Sequence, residues 1–295
     1  MRLGTNSDAS RLPVRLIDGH CHLADPRWSD PALGAGLEAA LSEARAKGID
    51  RFIQGGVGPD DWERQRELAR RYPGEVYCTF GIHPWWVIGH SDTELEKAFS
   101  RLEGEFLTST AGAVGVGELG LDLSDRALAA GGQTAPQGSQ GLNDIVRQLK
   151  WMERQLDLAE ARGLPVILHI VRAHEQALKL LESRPRPSRG GLVHSFSGSP
   201  SDAKRYQALG LTLSISSGVA RKGFERLKKA VVQVPLETLV IESDAPDQPP
   251  PRLAGGLNRP AAIWDVAEAV GSLRGISAEA ILENSRDRLE KIFGI

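Results

Sequence analysis

Cysteine is nearly missing from this 295-residue chain: Cys21 and Cys78 are the two it has. Two thiols cannot build a disulfide framework, so a reducing compartment is the default expectation. An excess of one charge is missing too, with 36 Lys and Arg against 38 Asp and Glu and a formal net charge of −2. Proteins that coat nucleic acid need many uncompensated basic side chains, which excludes that class but not an enzyme gripping one or two phosphates. Long hydrophobic runs are absent. The longest strongly apolar stretch, residues 164–171, is less than half a membrane span and contains His169. Residues 1–13 hold no basic segment followed by an apolar core. The chain therefore reads as cytoplasmic, with no membrane association. Aromatics make up only 5% while glycines number 32, which fits a loop-rich α/β protein and argues against a repeat array or a coiled coil.

What is present is a rhythm of β-branched run, polar or glycine-marked loop, and amphipathic stretch. Eight runs read as strands: 14–18, 51–55, 75–81, 113–118, 165–169, 191–194, 211–216 and 238–242. Apolar spacing at three and four predicts helices over 37–46, 62–71, 93–102, 145–161, 175–181, 202–209, 224–232 and 262–270. Strand-helix alternation means parallel strands with right-handed crossovers. Eight such units predict one α/β domain over residues 1–295, a (β/α)8 TIM barrel, regular or distorted. No glycine-rich dinucleotide fingerprint follows the first run, which weakens an open doubly wound sheet. Two C-terminal helices, 278–283 and 285–293, are expected outside the ring. Residues 1–13 read as an N-terminal extension. Residues 129–141 (AAGGQTAPQGSQG) lack periodicity and read as a flexible insertion, an idle surface loop in preference to a substrate lid. The basic run 184–189 falls on the stability face and reads as solvated charge.

In extended backbone alternate side chains share a face, so His20 and His22, directly after the first run (LIDGHCHL), can aim at one centre. His83 closes the third run (FGIHP), Glu118 the fourth (VGVGELGLD), His169 the fifth (PVILH), His194 the sixth (GLVHSF) and Asp244 the eighth (VIESDAP). Six of the eight runs thus deliver a His, Glu or Asp to the C-terminal face, where the catalytic groups of a barrel converge. A lone histidine at a strand end is more often structural, and either carboxylate alone could cap a helix. Matching ends on six runs favour a metal site, because grouped buried titratable side chains are costly without a cation. Cys21 points away by the same alternation and reads as a packed thiol. His90 reads as a loop residue, His174 as a first-turn helix residue and Asp18 as a loop anchor. Trp85 and Trp86 could stack on a nucleobase or plug the rim, and the sequence leaves both open.

At these residues the chain resembles the TatD family of metal-dependent deoxyribonucleases, over about residues 16–293. The likeness is carried by H-C-H-L at 20–23, G-I-H-P at 81–84, G-E-L-G-L-D at 117–122, L-P-V-I-L-H at 164–169, H-S-F-S-G at 194–198 and E-S-D-A-P at 242–246. The resemblance implies that His20 and His22 bind one metal and that Glu118 bridges to a second, held by His169 and His194. Asp244 would ligate the first and take a proton from the attacking water. Two divalent ions per subunit are expected. Imidazole ligands favour Zn or Mn, whereas such nucleases are usually described as using Mg, so the ion stays open.

The expected reaction is hydrolysis of phosphodiester bonds by metal-activated water, with DNA as substrate and exonuclease action on single-stranded ends. Asp244 and Glu118 would be catalytic, with His83, Arg172, Ser195 and Ser197 as phosphate contacts. The protein is expected to be a monomer or small oligomer. The same centre could instead cleave a phosphotriester, small ester, lactone, cyclic amide or aminoacyl ester, because fold does not choose among these. A non-catalytic scaffold is a further reading, against which the intact ligand set argues. Three departures bear on substrate choice: His169-Ile170-Val171-Arg172 stands where H-S-R is common, Asn258-Arg259-Pro260 where Asn-Glu-Pro is, and the 129–141 stretch is longer than usual. Few phosphate contacts, and so a shallow salt dependence, are expected; a basic track would draw on Arg221, Lys222, Lys228 and Lys229.

Overall fold

The β-branched runs form eight parallel strands: β1 (Leu16–Cys21), β2 (Ile49–Gln54), β3 (Val76–Phe80), β4 (Ala113–Asp122), β5 (Val166–Val171), β6 (Gly191–His194), β7 (Leu211–Ile215) and β8 (Leu239–Ile241). Each pairs with the next in chain order, giving a nearly closed (β/α)8 barrel as expected. This computed structural model describes residues 15–32, 36–108, 112–125 and 139–295. The expected extension over 1–13 and positions 129–138 of the expected insertion lie outside these residues.

The helices are α1 (Gly36–Ala46), α2 (Pro59–Arg71), α3 (Pro84–Gly89), α4 (Asp92–Arg101), α5 (Ser139–Arg162), α6 (His174–Glu182), α7 (Pro200–Ala208), α8 (Glu225–Gln233), α9 (Ile263–Arg274) and α10 (Ala278–Phe293). Residues 139–141, read as loop, already belong to α5. The short α3 was not expected. It begins where Pro84 takes the first helical position and His83 caps it, the His83 Nδ1 accepting the Trp85 amide. Capping boxes at Ser91/Glu94 and Ser199/Asp202 start α4 and α7. No helix among the described residues is long and apolar enough to cross a membrane.

Side chains on the outer face of the strands, such as Phe52 and Phe80, pack against helix residues including Trp62, Trp151 and Tyr206. The inner face carries a separate cluster, Ile17, Ile53, Ile167, Leu192 and Val240, joined by Leu289, Ile292 and Phe293 of α10. The C-terminal segment therefore departs from expectation. It is one continuous helix whose Leu289, Ile292 and Phe293 enter the inner cluster, while Ile281 and Leu282 join the outer core.

The seam between β8 and β1 explains why. No ladder joins these two strands, so the Ile241 amide donates to Ser285 Oγ at 2.8 Å. Asn284 Nδ2 reaches the carbonyls of Leu236 at 2.9 Å and Leu239 at 3.2 Å. Backbone polar groups that a ladder would have satisfied find helix side chains in its place. At the C-terminal rim the seam is stitched directly. Asp244 N donates to His20 O at 2.9 Å and His22 N to Ala245 O at 2.7 Å. Asp18 anchors the same joint, accepting from Ser243 N at 2.8 Å and Ser243 Oγ at 2.5 Å.

Leu289→Ala should leave a cavity at the barrel interior and cost about 2–5 kcal/mol in urea unfolding with an unchanged slope. Val146→Ser, at a side chain 66% exposed on α5, should shift stability by less than about 0.5 kcal/mol. Equal effects of the two would contradict the packing role of α10.

Candidate metal centre

Glu118 lies inside β4, 1% exposed, with its carboxylate at the hub of a ring of imidazoles. Oε1 faces His22 Nε2 at 3.3 Å and His20 Nε2 at 3.4 Å. Oε2 faces His169 Nδ1 at 3.2 Å, His194 Nε2 at 3.4 Å and His83 Nε2 at 3.8 Å. Asp244 Oδ1 adds a second carboxylate, 3.4 Å from His22 Nε2 and 3.9 Å from His194 Nε2. The six residues read from the sequence as ligands thus meet at one place, with His83 beside them.

Local backbone makes this convergence possible. A Cβ at Gly55 would sit 2.2 Å from the His20 ring, so only glycine at the end of β2 leaves room for that imidazole. Ser195 and Asp244 have φ of 44° and 58°, so the chain leaves β6 and β8 through the left-handed region and turns these residues toward the mouth.

Two further carboxylates hold the outer sides of the imidazoles. Asp122 Oδ2 lies 3.0 Å from His169 Nε2 and accepts from Trp85 Nε1 at 2.7 Å. Glu242 Oε1 lies 2.9 Å from His194 Nδ1 and accepts from Ser195 N at 2.7 Å. His169 therefore presents Nδ1 to the centre and His194 presents Nε2. Sequence reasoning quoted Asp122 and Glu242 within motifs but gave them no role. Their even spacing from Glu118 and Asp244 along extended chain was the available signal.

The electrostatics follow from burial and proximity. Burial alone would raise the Glu118 carboxyl, yet His20, His194 and His22 hold it well below the usual range. Burial opposes charge on His22 and His194 as well. Glu118 and Asp244 nevertheless raise His22 to about 9, and Glu242, Asp244 and Glu118 raise His194 to about 10. His83 goes the other way, pushed well down by burial and by His169. Since its Nδ1 accepts the Trp85 amide, the neutral ring carries its proton on Nε2.

Both ring nitrogens of the fully buried His20, and Oε1 of Glu118, lack a hydrogen-bond partner. Orphaned donor atoms at the centre of an imidazole and carboxylate set are what a divalent cation satisfies, and the residues fit one. Among the described residues three groupings could hold an ion: His20, His22 and Glu118; His20, His194 and Asp244; and His83, Glu118 and His169.

A cavity of about 810 Å³ opens above the centre. Ser195, Ser197, His83 and Trp85 line it, together with an apolar wall of Phe196, Phe224 and Leu227. Arg172 is not brought there. β5 continues two residues past His169, which carries Arg172 out to an ion pair with Asp125 at 3.3 Å, its side chain 64% exposed. The tryptophans part company: Trp86 stacks on His90 and faces a second cavity of about 210 Å³ that also touches His22. Cys21 packs in the outer core.

A family model described as TatD related DNase matches residues 17–294. An Escherichia coli protein named uncharacterized metal-dependent hydrolase YjjV is 31% identical over 281 residues, covering 95% of this chain and 98% of its own. The human protein named deoxyribonuclease TATDN3 is 28% identical over 286 residues, 95% of each chain. The crystal structure of the E. coli YjjV protein superposes with a TM-score of 0.81 at 29% identity, covering 96% of this chain and 100% of that one. An organophosphorus hydrolase from Deinococcus radiodurans, TM-score 0.56 at 15% identity, covers 97% of this chain and 94% of its own and shares the fold.

With His22 raised to about 9 and His194 to about 10, both rings hold protons at neutral pH that a cation must displace. Affinity for Mn²⁺ should therefore climb as pH rises from about 7 toward 9, with about two protons released on binding. Calorimetric titration in buffers of different ionisation enthalpy measures this. Binding without proton release would show that these two rings are not the ligands.

Proposed function

The chain belongs to the TatD family of DNase-related, metal-dependent hydrolases, and from that we propose that it hydrolyses phosphodiester bonds at single-stranded DNA ends. The observation that carries this reading is the convergence of five imidazoles on the buried Glu118 beneath an open cavity. His20, His22 and Asp244 would hold one divalent ion, and His169 and His194 a second, with Glu118 facing both sets. Bound ions supply Lewis-acid stabilisation of the phosphoryl charge and lower the pKa of water.

The chain's own residues do the rest. Asp244 Oδ1, facing the histidines, takes the proton of the attacking water. His83 keeps its proton on Nε2 and can donate it to a phosphate oxygen, with Ser195 and Ser197 along the same wall. Trp85 is fixed by Asp122 and offers an aromatic surface to a base. Phe196, Phe224 and Leu227 form a surface for sugar or base, and a cavity of this size suits a strand end better than intact duplex. The absence of Arg172 from the cavity and the presence of that apolar wall favour, as a second reading, a small ester or lactone substrate.

Purified protein loaded with Mn²⁺ should release mononucleotides from end-labelled single-stranded DNA, and Asp244→Asn should lower kcat about 10²–10⁴-fold. Hydrolysis of esters or lactones without nucleotide release would sink the nuclease reading and support the second. Salt dependence is a separate check. Arg27 at the mouth is already held by Asp25 and Asp247, and Arg221 on the same lining donates to the Pro249 carbonyl, so few phosphates should be neutralised. The slope of log K against log salt should be shallower than about −2 on single strands.

A further inference from the structure

Asp244 has two oxygens, and Oδ1 is the one that approaches His22 and His194 most closely, at 3.4 and 3.9 Å. The other, Oδ2, accepts a hydrogen bond at 2.5 Å from Nε2 of Gln248, four residues on. Gln248 is a positive-φ residue, at 50°, and its carbonyl is pinned by Ser217 Oγ at 2.5 Å and by the buried Asn258 Nδ2 at 3.2 Å. A non-glycine residue in that conformation persists only where its surroundings over-determine it.

The rest of the Gln248 amide closes a circuit. Nε2 also donates to Ser195 Oγ at 2.6 Å, and Oε1 accepts from Ser216 Oγ at 3.1 Å. The two serine oxygens are 2.9 Å apart. Proton accounting gives the ring one direction. A carboxylate can only accept, so the amide nitrogen must face Asp244, and its two protons go to Asp244 and Ser195. Ser216 gives its proton to Oε1, which leaves Ser195 to donate to Ser216. Every donor is used once, and hydrogen bonds running head to tail strengthen one another. Ser195 follows β6, Ser216 follows β7 and Gln248 lies in the segment after β8, so the ring ties three strand ends together.

We propose that Gln248, closed into this ring with Ser195 and Ser216, is the positioning residue for Asp244, holding Oδ2 so that Oδ1 alone is presented to the metal-binding histidines. The inference rests on the role given to Asp244 above. None of the three ring residues is among the ligands named above; each acts on the centre through the Asp244 carboxylate, and the ring commits the Ser195 hydroxyl proton to Ser216 in place of a phosphate.

The test uses Co²⁺ as probe, with affinity read by calorimetry and geometry by the visible absorption of the bound ion. Gln248→Met keeps side-chain length and removes both the donors and the acceptor. It should weaken one of the bound ions about 10–100-fold and change its spectrum. Ser216→Ala is the smaller perturbation and carries the test if the methionine variant fails to fold. It should shift the spectrum in the same direction. Because either change opens the same ring, the double variant should bind no more weakly than Gln248→Met alone, whereas independent side chains would multiply their effects. Unchanged affinity and spectrum in both variants, or multiplied losses in the double one, would overturn the ring. Failure of the wild-type protein to bind Co²⁺ would overturn the metal reading itself, and this inference with it.

Discussion

A carboxylate removed from water is the constraint around which the barrel is arranged. Glu118 sits at 1% exposure inside a parallel sheet, where an unpaired charge would cost several kcal/mol. It is tolerated because histidines from β1, β5 and β6 and from the segment after β3 face its two oxygens, so no one strand could have satisfied it alone. The demand on space is equally strict. Gly55 gives up its side chain to the His20 ring, and a Cβ at Gly81 would meet the Gly117–Glu118 backbone at 2.6–2.8 Å. The close-packed interior thus has chemistry at its upper end and hydrocarbon below, the boundary set by which strand residues are polar.

The seam between β1 and β8 carries more of the site than a regular ladder would have. Below, α10 replaces the missing strand partner and fills the inner core. Above, bonds between the two loop backbones join the histidine pair of β1 to Asp244. The polar and apolar solutions meet within a few residues, at Ile241 with Ser285 and at Ser243 with Asp18. An ordinary β8–β1 ladder would fix the strands but would leave the loop bearing Asp244 to find its own position.

This division explains what could be read from the sequence and what could not. The alternation of strands and the histidines at their ends follow short-range periods, so the barrel and the converging residues were legible. The outer end of β4 was not. The run was expected to stop at Glu118, but the strand continues to Asp122, whose carboxylate meets the His169 ring of β5 and the Trp85 indole. Asn284 read as a break between two helices because asparagine competes with helical backbone bonds; here its amide is committed to two carbonyls before β8, and the helix runs through. The His83 segment read as a loop because Trp85 and Trp86 gave no helical period in six residues, and the cap that starts the helix is an imidazole. Arg172 looked like a phosphate contact by likeness to a motif, and two extra residues of β5 removed it. For Asp122, Asn284 and Arg172 the deciding partner lies far along the chain, whereas the His83 cap is local but of an uncommon residue type.

The remaining asymmetry is in the backbone. Arg172, Ser195, Asp244 and Gln248 are the positive-φ residues other than glycine among the described residues, and all lie in segments following β5, β6 and β8. Such conformations cost about 1–3 kcal/mol each, so random placement would be selected against and clustering needs a return. For Ser195 that return is its amide on Glu242; for Asp244 it is an amide on the His20 carbonyl; for Gln248 it is the carbonyl held by Ser217 and Asn258. Arg172 has an ion pair with Asp125 in open solvent, the weakest compensation of the four. The three well-compensated residues are those that border the centre, and their strain is balanced by bonds that also fix where their side chains point. Geometry at the reacting end is therefore maintained by strained backbone together with the carboxylate and amide contacts that hold Asp244, His169 and His194.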